Sequence, residues 1–241
     1  GEFNPQDLAN TAWSFATAGI DAPRLFPAIA RAAQLRIGQF NPQNLANTAW
    51  TFAKAGIDAP GLFDAIATAA QPRLGEFKCQ NLANTVWAFA TAGVDAPQFF
   101  DAIATAAQPR LGEFSSQALA NTAWAFTTAG VDAPELFDAI ATAAEPRLHE
   151  FNAQELANTA RAFAAAGVDA PRLFDAIATA AQPRLSDFTA QEVANTAFAF
   201  ATAAVDAPRL FEAIATATLS RRRDFDDQAL ANTAWAFACV D

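Results

Sequence analysis

Methionine and tyrosine are missing from this chain of 241 residues, histidine occurs once and cysteine twice. A lone His149 cannot build a histidine-based metal site, and it leaves few acid–base options near neutral pH. The two cysteines, Cys79 and Cys239, do not make a disulfide framework; they read as reduced thiols suited to a reducing compartment. Apolar runs stay well short of the ~18 residues a membrane-spanning helix needs, so no span is expected. Basic residues are also scarce: 15 Lys and Arg stand against 25 Asp and Glu, a formal charge of -10. Nucleic acids and anionic membranes therefore meet a general repulsion. No Ser–His or Cys–His pairing, metal-ligand spacing or phosphate-cradling glycine loop is found, so neither an enzyme nor a cofactor is expected.

Most of what is there is small and apolar. Hydrophobic residues make up 53% of the chain and charged ones 17%, and much of the hydrophobic share is alanine. Alanine is the strongest helix former and has little volume, which points to many closely packed helices. These helices recur with a period of 37 residues. Phe3, Phe40, Phe77, Phe114, Phe151, Phe188 and Phe225 keep that spacing without insertion or deletion. So do Gln6, Gln43, Gln80, Gln117, Gln154, Gln191 and Gln228. Six full repeats and about half of a seventh make one continuous array over 1–241. The opening "GEF" recurs at Gly75–Phe77 and Gly112–Phe114, so a fragment or ordered part of a longer protein is expected.

Each repeat carries two helix starts. Asn4, Asn41, Ser115, Asn152, Thr189 and Asp226 stand where a first-helix N-cap belongs, with Lys78 the exception. Pro5 and Pro42 suit the first helical position, where a missing N–H costs nothing. Gly19, Gly56, Gly93, Gly130 and Gly167 supply left-handed stops. Ala204 replaces that glycine once, which predicts a strained or differently turned junction. The second helix is expected to begin on the Asp of "DAP" (Asp21, Asp58, Asp95, Asp132, Asp169, Asp206). Pro72, Pro109, Pro146 and Pro183 should end or kink it. With no strand signal, the fold is an all-α solenoid of two-helix repeats, since such units bury their faces only by stacking.

A helical wheel divides the first helix. Leu8, Ala9, Ala12, Trp13, Phe15 and Ala16 fill one arc, and Asp7, Asn10, Thr11, Ser14 and Thr17 fill the other. The second helix should bury Leu25, Phe26, Ala28, Ile29, Ala32 and Ala33, and expose a stripe such as Asp64, Thr68 and Gln71. The first helix is assigned to the concave side, because its polar stripe is nearly uncharged, and the acidic second-helix row to the convex side.

The string "FNPQNLANTAWTFAKAGI" (Phe40 to Ile57), in a repeat of this length, resembles the octotricopeptide and heptatricopeptide repeat proteins. The resemblance covers the whole chain. It implies an organellar protein, chloroplast or mitochondrial, that binds RNA in transcript maturation, stability or translation. It also implies that first helices face the RNA.

Three rows are candidates for contact. Asn10, Asn47, Asn84, Asn121, Asn158, Asn195 and Asn232, with Ser14 and Thr51, form a concave binding stripe, or else the amides peg one repeat to the next. Trp13, Trp50, Trp87, Trp124 and Trp235 form a rim that stacks bases, or else packs repeats together. Arg36, Arg73, Arg110, Arg147, Arg184 and Arg221 form a phosphate track, or else pair with nearby acids such as Glu76 and Glu113. The ligand expected in the groove is single-stranded RNA or a protein, the latter as part of a multi-subunit assembly. Asn10 keeps its identity in every copy, while Ser14 becomes Thr51 and then Ala88, Ala125, Ala162, Ala199 and Ala236. Alanine cannot hydrogen-bond a base edge, so the sequence argues against base-by-base reading.

Overall fold

The computed structural model describes residues 3–20 and 22–240. The described residues form thirteen α-helices and no strand, as the period of 37 predicts. First helices are α1 (Pro5–Thr17), α3 (Pro42–Lys54), α5 (Cys79–Thr91), α7 (Ser116–Ala129), α9 (Ala153–Ala166), α11 (Ala190–Thr202) and α13 (Asp227–Val240). Second helices are α2 (Leu25–Arg36), α4 (Pro60–Ala70), α6 (Pro97–Ala107), α8 (Pro134–Ala144), α10 (Pro171–Ala181) and α12 (Pro208–Ser220). They fall into two compact units, Gly1–Phe114 with Thr128–Val131 and Ser115–Thr127 with Asp132–Asp241.

The first-helix caps form as expected. Asn41 Oδ1 accepts from the Asn44 amide at 2.8 Å, and Asp226 Oδ1 from the Ala229 amide at 2.8 Å. Asn4 with Asp7, Asn152 with Glu155 and Thr189 with Glu192 close reciprocal capping boxes. Lys78 has no capping side chain; Asn81 Oδ1 instead accepts from the Lys78 amide at 3.3 Å. The five predicted stop glycines lie at φ 63–66°, and Ala204 is forced into the same region at φ 52°. Its junction is strained rather than differently turned.

The second helix starts later than expected. In α4 the N-cap is Ala59 and Pro60 is the first helical residue, with no side-chain cap. Ala96, Ala133, Ala170 and Ala207 hold the same place. Asp58, Asp95, Asp132, Asp169 and Asp206 therefore precede the helix as exposed turn residues, not as its caps. The proline locks the helical φ and removes one of the unsatisfied N–H groups, so a side-chain cap is less needed. Asp21 lies outside the described residues.

At the far end, Pro72, Pro109, Pro146 and Pro183 convert the α-helix into a 3-10 turn, as in Gln71–Glu76. Where the proline is absent, at Leu35 and Ser220, α2 and α12 run further as α-helix.

Packing follows a recurring plan. A second-helix Phe meets the Phe of the next first helix edge to face. Phe26–Phe52 and Phe63–Phe89 do so in one unit, Phe137–Phe163 and Phe174–Phe200 in the other, at centroid distances of 5.0–5.6 Å. Neighbouring first helices, such as α3 and α5 or α9 and α11, lie side by side through fully buried alanines including Ala46, Ala49, Ala83 and Ala157. Second helices rest instead on the preceding 3-10 turn: α6 on Gln71–Glu76, α12 on Gln182–Asp187.

That side-by-side packing widens the buried face of the first helix beyond the helical wheel. Thr48, Thr85, Thr122, Thr159 and Thr196 are at most 1% exposed, so the Thr11 position is core and not part of the polar arc. Most of these hydroxyls donate to the carbonyl four residues back, as Thr85 does to Asn81 at 2.7 Å. Thr51 is 0% exposed and its hydroxyl has no partner, so it leaves the predicted stripe. Ser14 is exposed on α1. The wheel errs in the second helix as well: Ala28, expected in the core, is exposed.

Candidate binding surface

Once the Thr11 and Ser14 positions are buried, one narrow strip of each first helix remains open: the Asn position and the Trp position three residues on. Asn10 is exposed, and Asn47, Asn84, Asn121, Asn158, Asn195 and Asn232 are half-buried. Only two of these side-chain amides are engaged. Asn195 Oδ1 accepts from the Arg161 guanidinium at 3.5 Å, the long limit of such a bond, and Asn232 Oδ1 accepts from Gln228 at 2.9 Å. The amides of Asn10, Asn47, Asn84, Asn121 and Asn158 make no hydrogen bond within the described protein. A peg between repeats is thus found at Arg161–Asn195, but not along the rest of the row.

Beside the amides runs the aromatic row. Trp13 and Trp235 are 49% and 45% exposed, while Trp50, Trp87 and Trp124 are half-buried. Neighbours touch one another: Trp50 and Trp87 lie 6.2 Å apart between centroids, and Phe198 and Trp235 4.7 Å. Lys54 sets its ammonium 4.6 Å over the Trp50 ring. Packing and exposure therefore coexist in this row. A base sandwiched between two rings needs them about 7–8 Å apart, twice the optimal carbon–carbon separation, so these pairs offer no slot. Only their outer faces and edges are open.

The strip is close to neutral. Asp7, Glu155 and Glu192 lie near it, but each carboxylate is held by the N-cap amide of its own helix at 2.7–3.0 Å. Lys54 and Arg161 are its cations.

The arginine row belongs elsewhere. Arg73 donates to the Phe40 carbonyl at 2.9 Å, Arg110 to Phe77 at 2.8 Å, Arg184 to Phe151 at 2.6 Å and Arg221 to Phe188 at 2.8 Å. Arg36 does the same to Phe3, and Arg147 Nε donates to the Ala143 carbonyl at 3.1 Å. Each of the first five ties the end of a repeat back to the carbonyl just before its first helix. The expected ion pair is drawn at Arg73–Glu76, 3.1 Å. Sequence reading missed the carbonyl contacts. The signal was present in the invariant 33-residue offset from Phe to Arg, but a backbone acceptor leaves no residue type to notice.

Cys79 opens α5 as a free thiol between Glu113 (3.7 Å) and Arg110 (3.5 Å), and Cys239 is free and exposed in α13. Burial pushes the Cys79 thiol up; Arg110 opposes that shift and Glu113 adds to it. Among the described residues there is no cluster of three or more His, Cys, Asp or Glu placed to hold a metal, and no helix long and apolar enough to cross a membrane.

Helical hairpins stacked at a fixed period, with an exposed polar and aromatic strip on one helix of each, define an α-solenoid repeat protein. The chain belongs to the RNA-editing substrate-binding complex 6 (RESC6) family, whose model matches residues 6–241. It is thus an RNA-associated helical protein. A search among curated proteins found no match.

Proposed function

We propose that this protein is a non-catalytic, RNA-holding subunit of an RNA-editing assembly, and that the Asn–Trp strip of each unit contacts single-stranded RNA. The observation that carries this reading is the row of half-exposed side-chain amides at Asn47, Asn84, Asn121 and Asn158, left without protein partners beside Trp50, Trp87, Trp124 and Arg161. Polar groups fixed on a rigid helix and not used by the fold are free to bind a ligand. The family name supports RNA as that ligand and a complex as the setting. Closer packing of first helices than of second helices supports an inner, concave position for the strip within each unit. Of the two organelles the sequence resemblance suggested, the family supports the mitochondrion.

A protein-scaffolding role is the second reading, favoured by the net charge of -10 and the exposed acids of the second helices: Asp64, Asp101, Asp138, Asp175 and Glu212. The two readings separate in one experiment. Fluorescence anisotropy with labelled single-stranded RNA at low salt should show saturable binding, weakened on the order of tenfold by Asn84→Ala, Asn121→Ala and Asn158→Ala together. No binding to any RNA would remove the first reading and leave the second.

A further inference from the structure

The strip repeats one chemistry at every step. Asn holds its position in seven first helices of seven, and six of them lie in a comparable half-buried setting. A surface that read bases one by one would vary from repeat to repeat, because base edges differ in their donors and acceptors. The next position round the helix does not supply that variation either. Thr51, Ala88, Ala125, Ala162 and Ala199 are all at most 2% exposed. The aromatic neighbours Trp50–Trp87 and Phe198–Trp235 lean on each other as tilted rings, 6.2 Å and 4.7 Å between centroids, and sandwich no base between them. The ligand group met by each amide is therefore one that every nucleotide carries.

Two such groups exist, the phosphate and the ribose hydroxyl. A phosphate accepts hydrogen bonds only and brings a full negative charge, which calls for a ladder of cations. The strip has Lys54 and Arg161, and the arginines with the 37-residue period are turned to backbone carbonyls. The 2′-hydroxyl is neutral and is both donor and acceptor. A carboxamide is likewise neutral and offers both. Resting on the RNA reading above, we propose that the asparagine row recognises ribose 2′-hydroxyls. The protein then distinguishes RNA from DNA without reading sequence.

The probes are labelled oligo(A), oligo(U) and mixed-sequence RNA of equal length, with the deoxy and 2′-O-methyl versions of the mixed strand, titrated into the full chain. The three RNAs should bind within about threefold of one another, and the deoxy and 2′-O-methyl strands should fall by on the order of tenfold or more, since several hydroxyl contacts are lost together. Asn84→Ala, Asn121→Ala and Asn158→Ala together should lower RNA affinity to the DNA level and leave DNA affinity unchanged. A purely structural role would lower both alike and would overturn the proposal, as would equal binding of RNA and DNA by the unaltered chain. A tenfold or greater preference among the three RNAs would also overturn it, and would leave RNA binding itself intact. Failure of every RNA to bind would remove the underlying RNA reading as well. Unchanged far-UV circular dichroism and melting temperature of the triple variant, whose altered side chains are half-exposed, establish that it folds.

Discussion

Ala204 carries the clearest local cost in the chain. Its φ of 52° is the left-handed region that glycine occupies at the five equivalent turns. For a residue with a Cβ that conformation costs about 1–2 kcal/mol. Ala204→Gly should raise stability by about 1 kcal/mol, read as a higher urea midpoint with an unchanged m-value. Thr51 is a second local defect: a buried hydroxyl without a partner, at a position filled by alanine in all five later repeats. Thr51→Ala should be neutral or stabilising by up to about 1 kcal/mol in the same measurement, because it removes an unpaired polar group without opening a large cavity. The two thiols should also differ. Alkylation with iodoacetamide at neutral pH should reach exposed Cys239 first, because burial keeps the Cys79 thiol protonated to a higher pH.

At the scale of the element, two kinds of contact fasten the repeats. The edge-to-face phenylalanine pair joins a second helix to the next first helix, as Phe63–Phe89 does at 5.0 Å. The arginine-to-carbonyl contact ties a repeat's end to its beginning, as Arg73 to Phe40 does at 2.9 Å. Both are only partly written in the residues. Periodicity marks Phe63 and Arg73 as special; the carbonyl that Arg73 meets is anonymous in sequence. Arg73→Ala should cost about 1.5–3 kcal/mol, the range for hydrogen bonds to charged groups, and Phe63→Ala about 3–5 kcal/mol, both by urea denaturation. Arg73→Lys should recover only part of that loss, since a single ammonium cannot hold the Phe40 carbonyl and the Glu76 carboxylate with the planar fork that Arg73 uses.

At the scale of the molecule, stability is a sum over neighbours. Within each unit a repeat contacts mainly the ones beside it in sequence. The large apolar side chains that remain exposed, Phe3, Trp13, Ile20, Leu35, Leu219, Trp235 and Val240, all belong to the first repeat or the last part of the chain. Native-state hydrogen exchange should find the amides of α3, α5, α9 and α11, packed side by side through buried alanines, far better protected than those of the exposed turns at Gly56, Gly93 and Gly167.

Sequence alone determined the repeat, its length, the two helices within it, the first-helix caps and the left-handed stops. Those features depend on residues close together in the chain, and a period of 37 repeats each signal enough to make it certain. Only tertiary structure decided which polar positions face water. A helical wheel sees one helix and predicts one buried arc. In the stack, α3 meets its own second helix α4 and the first helices α1 and α5 on either side, and that contact buries Thr48 and Thr51 while sparing Asn47 and Trp50. The same contact, and the carbonyls placed within reach of the arginines, narrow three candidate rows to a single strip of amides and aromatic rings.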